Sequence, residues 1–171
     1  MQVLFPVPPS GRAAELALHL SRLGSVSMDE TCRRACAAAL DSGDVAPGAQ
    51  AARALVDAPF DPSARFLLCD TPNADGGMAW TLVQDWRASG RLGRDAVVFF
   101  TGHMTAHARA IAAHGGRFLR WNVHPTLACQ RAMLDHLGAR RFAPLFCSTP
   151  EEYLLEYLGG RQVILGSQVM P

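Results

Sequence analysis

Residues 65–102 read RFLLCDTPNADGGMAWTLVQDWRASGRLGRDAVVFFTG, and this stretch decides the fold class. Two short apolar segments, Arg65–Cys69 and Ala96–Phe100, lie near its ends, and each is followed directly by a polar residue. The segment Met78–Ala88 between them predicts a helix. A strand, a helix and a second strand in this order are typical of parallel strands, because a parallel connection needs a long crossover. We therefore predict an α/β protein.

The same alternation continues on both sides of this stretch. Apolar segments and helical spacing upstream predict the strands Val3–Val7 and Ser25–Met28 and the helices Ser10–Leu23, 29–40 and 49–56. Downstream they predict the helices Thr105–His114 and Pro125–Leu137 around the strand Arg117–Val123. We predict a three-layer α/β domain over 1–138, with a mostly parallel five-stranded sheet. A C-terminal strand–helix extension over 139–171 is expected to pack on the same domain.

Composition excludes several function classes. The 171 residues include 16 basic side chains, all of them arginine, and the formal net charge is +1 with no basic cluster. Without lysine, the chain cannot form a Schiff base or use a phosphate-loop lysine. The charge argues against nucleic-acid or membrane-surface partners, and the apolar runs are too short to span a bilayer. Five scattered cysteines and an N-terminus without a basic region lead us to expect a cytoplasmic protein with reduced thiols.

Four short motifs between residues 65 and 137 resemble the second half of a bacterial response-regulator receiver domain. They are Phe66–Asp70, Pro72–Gly76 leading into a helix, Val97–His103 and Ala112–Leu119. The first 60 residues match only in the order of strands and helices. The resemblance implies a flavodoxin-like sheet with the strand order 2-1-3-4-5, and we expect the apolar run Val97–Phe100 to be inaccessible on both faces.

The same resemblance makes Asp70 the equivalent of the phosphoacceptor and Thr101 the residue that reads the phosphoryl group. Phosphotransfer also needs acids that hold Mg²⁺ at the end of the first strand, where this chain has Val7–Ser10. The family's lysine would fall near Trp121, and it is absent too. We therefore predict a pseudo-receiver, a regulatory module with no catalytic residues and no cofactor. It would act through a protein partner or as a homo-oligomer.

Two other functions stay open. His103 and His107 would share one helix face if the helix began at the end of the fourth strand, and His124 and Asp70 should lie at the same edge of the sheet. Imidazoles spaced in this way, together with a carboxylate, form a feasible zinc or iron site, which would make the protein a small enzyme or a metal-binding protein. The third possibility is a sensor that binds a small ligand or nucleotide in the same cleft without turnover.

We expect a protein partner to bind the face that receivers commonly use, formed by the fourth helix, the fifth strand and the fifth helix. Arginine and tryptophan are enriched at the energetic centres of interfaces. On those elements this chain has Trp121 and the arginines Arg109, Arg117, Arg120 and Arg131.

Asp70 should not become phosphorylated, because the acids and the lysine that support the chemistry are missing. Incubation of the protein with acetyl phosphate and Mg²⁺ is expected to leave its mass unchanged in intact-protein mass spectrometry. A stable phosphoryl adduct on Asp70 would contradict the pseudo-receiver prediction.

Overall fold

The computed structural model describes residues 1–9, 11–42, 52–119, 127–138, 140–142 and 162–163. The chain divides into two compact units, Met1–Trp121 and Asn122–Pro171, and each is described by itself. The predicted packing of 139–171 on the same domain stays a prediction.

The described residues of the first unit form a parallel sheet and five helices. Its strands are β1 (Gln2–Pro6), β2 (Val26–Met28), β3 (Phe66–Cys69), β4 (Ala96–Phe100) and β5 (Gly116–Phe118). The helices are α1 (Arg12–Leu20), α2 (Glu30–Ser42), α3 (Arg53–Asp57), α4 (Gly77–Ala88) and α5 (Ala106–Gly115). The α/β class and the five-stranded parallel sheet flanked by helices, as in flavodoxin-like folds, are thereby confirmed.

The strand order is β2-β3-β1-β4-β5, which corrects the predicted order 2-1-3-4-5 by exchanging β1 and β3. Val3 of β1 lies opposite Phe66 of β3 on one side and opposite Val97 of β4 on the other. Strand β1 suits the centre because its apolar side chains are buried on both faces. Strand β2 has three residues and forms an edge. Apolar periodicity identifies a strand but not its neighbours, which is why the order was wrong.

Alternate residues of the strands point to opposite faces of the sheet, and each face has its own core. Val3 and Phe5 pack with α1, α2 and α3 on one face, whereas Leu4 packs with α4 and α5 on the other. The first unit is therefore three-layered, as predicted.

Strand β4 departs from the prediction that it is inaccessible on both faces. Ala96, Val98 and Phe100 are buried against α4 and α5, but Val97 and Phe99 are only partly buried. These two side chains line a groove of about 370 Å³ on the opposite face of the sheet. The prediction failed because an unbroken apolar run does not reveal how fully each face of the sheet is covered.

The second unit contains α6 (Leu127–His136) and two short paired strands, β6 (Arg141–Phe142) and β7 (Gln162–Val163). The strands are parallel, with Arg141 opposite Gln162. The helix predicted to begin near Ser148 lies outside the described residues. Over the part of the chain that the structure describes, no helix is both long and apolar enough to cross a membrane.

Replacement of Phe100 by alanine should cost about 3–5 kcal/mol of unfolding free energy, because its ring is fully buried and would leave a cavity. The matched variant Phe99→Ala, one residue earlier on the half-covered face, should cost roughly 1–2 kcal/mol. Urea denaturation followed by circular dichroism measures both. Equal losses would show that the two faces are equally covered.

Candidate ligand site at the carboxyl end of the sheet

The strand order brings three loops together at one edge of the sheet. These loops follow β1, β3 and β4, whose carboxyl ends are neighbours in the sheet. The chain leaves β1 toward β2 on one side and leaves β4 toward β5 on the other. Ligands of open parallel sheets bind where connections diverge in this way, because a crevice forms between the two loops. The candidate site is therefore at the carboxyl ends of β1 and β4.

Arg12 connects these two loops. It is the first residue of α1, it is only 9% exposed, and its Nη1 donates a hydrogen bond of 2.9 Å to Oγ1 of Thr101. Thr101, which follows β4, is itself buried. A Cβ atom at Gly102 would lie 3.6 Å from Nη1, so the guanidinium also lies close to the chain after Thr101. The hydrogen bond ties the loop after β1 to the end of β4.

The loop between β1 and α1 enters the helix through a glycine. The amide of Val7 still donates to the carbonyl of Cys69 at 2.9 Å, so pairing with β3 continues one residue past β1. Gly11 then adopts φ +71° just before Arg12, a left-handed conformation that favours glycine. Glycine has no side chain with which to cap the helix. Because Arg12 is the first residue of α1, the positive end of the helix dipole lies at the same edge as Arg12.

Asp29 is a buried carboxylate at this edge, where it follows β2. Its Oδ1 accepts from the amide of Cys32 and caps α2, and its Oδ2 accepts from the amide of Asp70, both at 2.8 Å. Both oxygens therefore serve backbone groups that would otherwise be buried without a partner. The carboxylate holds the ends of β2 and β3 together.

The carboxylate of Asp70 faces its own loop. Its Oδ1 accepts from the amide of Thr71 at 2.6 Å, and Thr71 has a left-handed backbone with φ +64°. The hydroxyl of Thr71 donates to the carbonyl of Gly76 at 2.7 Å and closes the loop on itself. Ala74, in the same loop, also has a left-handed backbone, and its side chain is buried. This segment is tightly wound, and Pro72 lies within it, two residues after Asp70.

A hydrogen bond joins the loops after β3 and β4. The side-chain oxygen of Asn73 accepts from the amide of Thr105 at 2.9 Å. Thr105 in turn caps α5, since its hydroxyl accepts from the amide of Ala108 at 3.3 Å. The three loops therefore form one connected edge.

Among the described residues, His103 and His107 are not brought together as a metal site. Helix α5 begins at Ala106, after His103, so the condition for a shared helix face with His107 is not met. His103 is exposed, and the ring of His107 lies 5.3 Å from that of Trp80 in α4. His124 lies outside the described residues. Among the described residues, no three His, Cys, Asp or Glu side chains cluster in a way that could hold a metal ion.

The buried cysteines behave as core residues, as expected. Burial raises the pKa of the Cys32 thiol far above its ordinary value, and the nearby Asp29 charge adds to this effect. The pKa of Cys69 is raised for the same two reasons in the same order. These thiols stay protonated and are poor nucleophiles. Cys129 differs because it is exposed.

The predicted interface is divided between the two units. Arg109 on α5 and Arg117 on β5 are exposed in the first unit, and Arg131 on α6 is exposed in the second. Arg120 and Trp121 lie outside the described residues. The interface stays a prediction.

No protein-family model, no curated protein and no solved structure matches this chain.

Sequence reasoning missed Arg12 and Asp29. The signal for Arg12 was weak, because Gly11-Arg12 follows the first strand and opens a helix but lacks the first glycine, the lysine and the hydroxyl residue of a phosphate-binding loop. Asp29 had the signal of a helix cap, but its second hydrogen bond depends on β2 and β3 being neighbours.

Replacement of Asp29 by alanine should lower the unfolding free energy by about 2 kcal/mol or more, because it removes the cap of α2 and leaves the amide of Asp70 without its acceptor. Urea denaturation measures the change. The control Asp57→Ala, at an exposed position in α3, should stay within about 0.5 kcal/mol of the wild type. Equal stability of the two variants would show that Asp29 does not join the strands.

Proposed function

We propose that the protein binds a small ligand that carries a phosphate group, at the carboxyl end of β1 and β4, and that Asp70 takes no part in phosphoryl transfer. The observation that carries the proposal is the buried guanidinium of Arg12, held against Thr101 where the loops after β1 and β4 diverge. Of the functions left open by the sequence, this is the ligand sensor.

The chemistry of Arg12 favours a phosphate group. Guanidinium is planar, stays charged at all ordinary pH values and matches the spacing of phosphate oxygens, so its hydrogen bonds to phosphate are strong. The hydrogen bond to Thr101 fixes the orientation of the guanidinium before a ligand arrives. Less conformational freedom is then lost on binding, which raises affinity.

The position of Arg12 in the chain adds a second argument. Phosphate-binding loops with the pattern GxxxxGK[ST] connect a strand to a helix, and their backbone amides contact the phosphates. Aligned on this pattern, Gly11 matches the second glycine, whereas Pro6, Arg12 and Ala13 stand where the pattern has glycine, lysine and a hydroxyl residue. Pro8 and Pro9 have no amide hydrogen to donate, so phosphate contacts would come from Arg12 and the amides at the start of α1. The segment has the right connectivity, since it leads from β1 into α1.

The regulatory protein-interaction module implied by the receiver resemblance is the second candidate. It is favoured by Phe118 and Leu119, which are 48% and 60% exposed at the edge of the sheet next to the exposed Arg117. A protein that acts only through such a surface has no need for a phosphate ligand. A titration with pyrophosphate therefore separates the two candidates.

Pyrophosphate should raise the melting temperature of the full chain, because a ligand that binds only the folded state stabilises it, by about 2.7 kcal/mol at a hundred times its Kd. The variant Arg12→Met keeps the length of the side chain but loses its charge and should lose this stabilisation. Arg22→Met, at an exposed arginine beyond α1, serves as the control and should respond like the wild type. Differential scanning fluorimetry over a range of pyrophosphate concentrations measures all three.

Because Arg12 is buried, its replacement could also weaken the fold. Arg12→Lys keeps the positive charge and should retain part of the response to pyrophosphate. A wild type that does not respond, or an Arg12→Met variant that is folded and responds as strongly as the wild type, would contradict the proposal.

A further inference from the structure

We infer that the groove on the half-covered face of the sheet binds a small amphiphilic ligand, a medium-chain carboxylate with an apolar chain and one negative charge. The groove has a volume of about 370 Å³ and runs across β3, β1, β4 and β5. It is distinct from the proposed phosphate site, because neither Arg12 nor Thr101 lines it. The inference therefore adds a second site and does not depend on the first.

The floor of the groove consists of apolar side chains from one face of the sheet. Val3 lies opposite Phe66 on one side and opposite Val97 on the other, so these three side chains are neighbours on this face. Phe5 and Phe99 extend the same surface two residues further along β1 and β4, with ring centroids 5.4 Å apart. Helix α1 contacts β2 and β3, and the described helices leave Val97 and Phe99 only partly buried. The floor is therefore a partly open apolar surface.

Two glycines bound the groove at the amino end of β4 and β5. Gly93 and Gly115 both line it. A Cβ atom on Gly115 would lie 2.6 Å from the backbone nitrogen of Gly93, and one on Gly93 would lie 3.0 Å from the carbonyl oxygen of His114. The two backbone segments approach this closely because neither glycine has a side chain. The groove is thus concave and closed at this end, unlike a flat apolar patch.

Among the described lining residues, Arg117 alone has a charged side chain. Arg117 of β5 lies opposite Phe99 of β4, so the two side chains are neighbours on the same face of the sheet. The side chain of Arg117 is exposed, and among the described residues it has no hydrogen-bond or ion-pair partner. An arginine can lay its apolar stem along such a surface and keep its guanidinium in water. The groove therefore has an apolar floor and one available positive charge.

Size and charge together define the ligand. A water molecule occupies about 30 Å³ in the liquid, close to the volume of one methylene group, so the groove accommodates a chain of roughly ten carbons. Apolar cavities in which a single polar group fixes the orientation are typical of small-molecule sites. A guanidinium pairs with a carboxylate through two parallel hydrogen bonds. A second copy of the chain complements this face less well, because symmetric pairing would add another Arg117 and no acid from the same lining.

Isothermal titration of the full chain with decanoate, below its micelle concentration, tests the inference. Saturable binding of one decanoate per chain is expected. Decylamine has the same chain but is cationic near neutral pH, so Arg117 should repel it, and it should bind about tenfold or more weakly. Equal affinities would indicate adsorption to apolar surface only and would overturn the inference, as would no binding of decanoate.

The variant Arg117→Met keeps an unbranched side chain but removes the charge. Its affinity for decanoate should fall about tenfold or more, because the charge-assisted hydrogen bonds are lost. The control Arg109→Met changes an exposed arginine of α5 that does not line the groove, and it should bind like the wild type. An Arg117→Met variant that binds decanoate as tightly as the wild type would contradict the assigned role of Arg117 and overturn the inference.

The variant Val97→Trp places the ligand in the groove, because the larger side chain fills the space above the floor. With circular dichroism as the check that it is folded, it should no longer bind decanoate. The control Leu23→Trp, at an exposed position beyond α1, should bind like the wild type. A folded Val97→Trp variant with unchanged affinity would overturn the inference. So would a wild type that does not bind decanoate but forms a dimer that Val97→Trp dissociates, since a second copy would then cover the groove.

Discussion

Strand β1 lies at the centre of the sheet, and the rest of the first unit depends on this position. Val3 pairs with β3 on one side and with β4 on the other, so the loop that leaves β1 lies between the two loops that follow those strands. An order in which β1 and β4 were not neighbours would separate Arg12 from Thr101, which are 89 residues apart in sequence. The hydrogen bond between them exists because one buried strand has these two neighbours.

Burial of polar groups at this edge of the sheet costs free energy unless they form hydrogen bonds. The side chains that join the strand ends have such hydrogen bonds. Thr101 accepts from Arg12, and Asp29 serves the amides of Cys32 and Asp70. A buried carboxylate is tolerated only when hydrogen bonds replace the water it has lost. Asp29 therefore joins the ends of β2 and β3, as Arg12 joins the ends of β1 and β4. One of these long-range hydrogen bonds is formed by a carboxylate and the other by a guanidinium.

These contacts also change how the role of Asp70 is interpreted. The receiver resemblance implied that Asp70 is the equivalent of a phosphoacceptor, and the predicted strand order came with that resemblance. In the structure, Asp70 accepts from Thr71 within a tight loop, and its amide is held by Asp29. Arg12, the residue that the proposed function assigns to a phosphate, lies on the other side of β1 from the acids. The centre of the candidate site thus moves from the end of β3 to the carboxyl ends of β1 and β4.

The sequence by itself determined the elements of the first unit and the α/β class, because apolar segments such as Phe66–Cys69 and the helical spacing in α1 reflect local burial. It also placed Asp70 and Thr101 at the ends of buried strands, and it excluded lysine chemistry outright. Only the tertiary structure decided that β1 lies between β3 and β4, since pairing partners leave no periodic trace in a single chain. The roles of Arg12 and Asp29 depend on that pairing. Each acts through a hydrogen bond to a residue far along the chain, and such a bond is created by the packing of the strands.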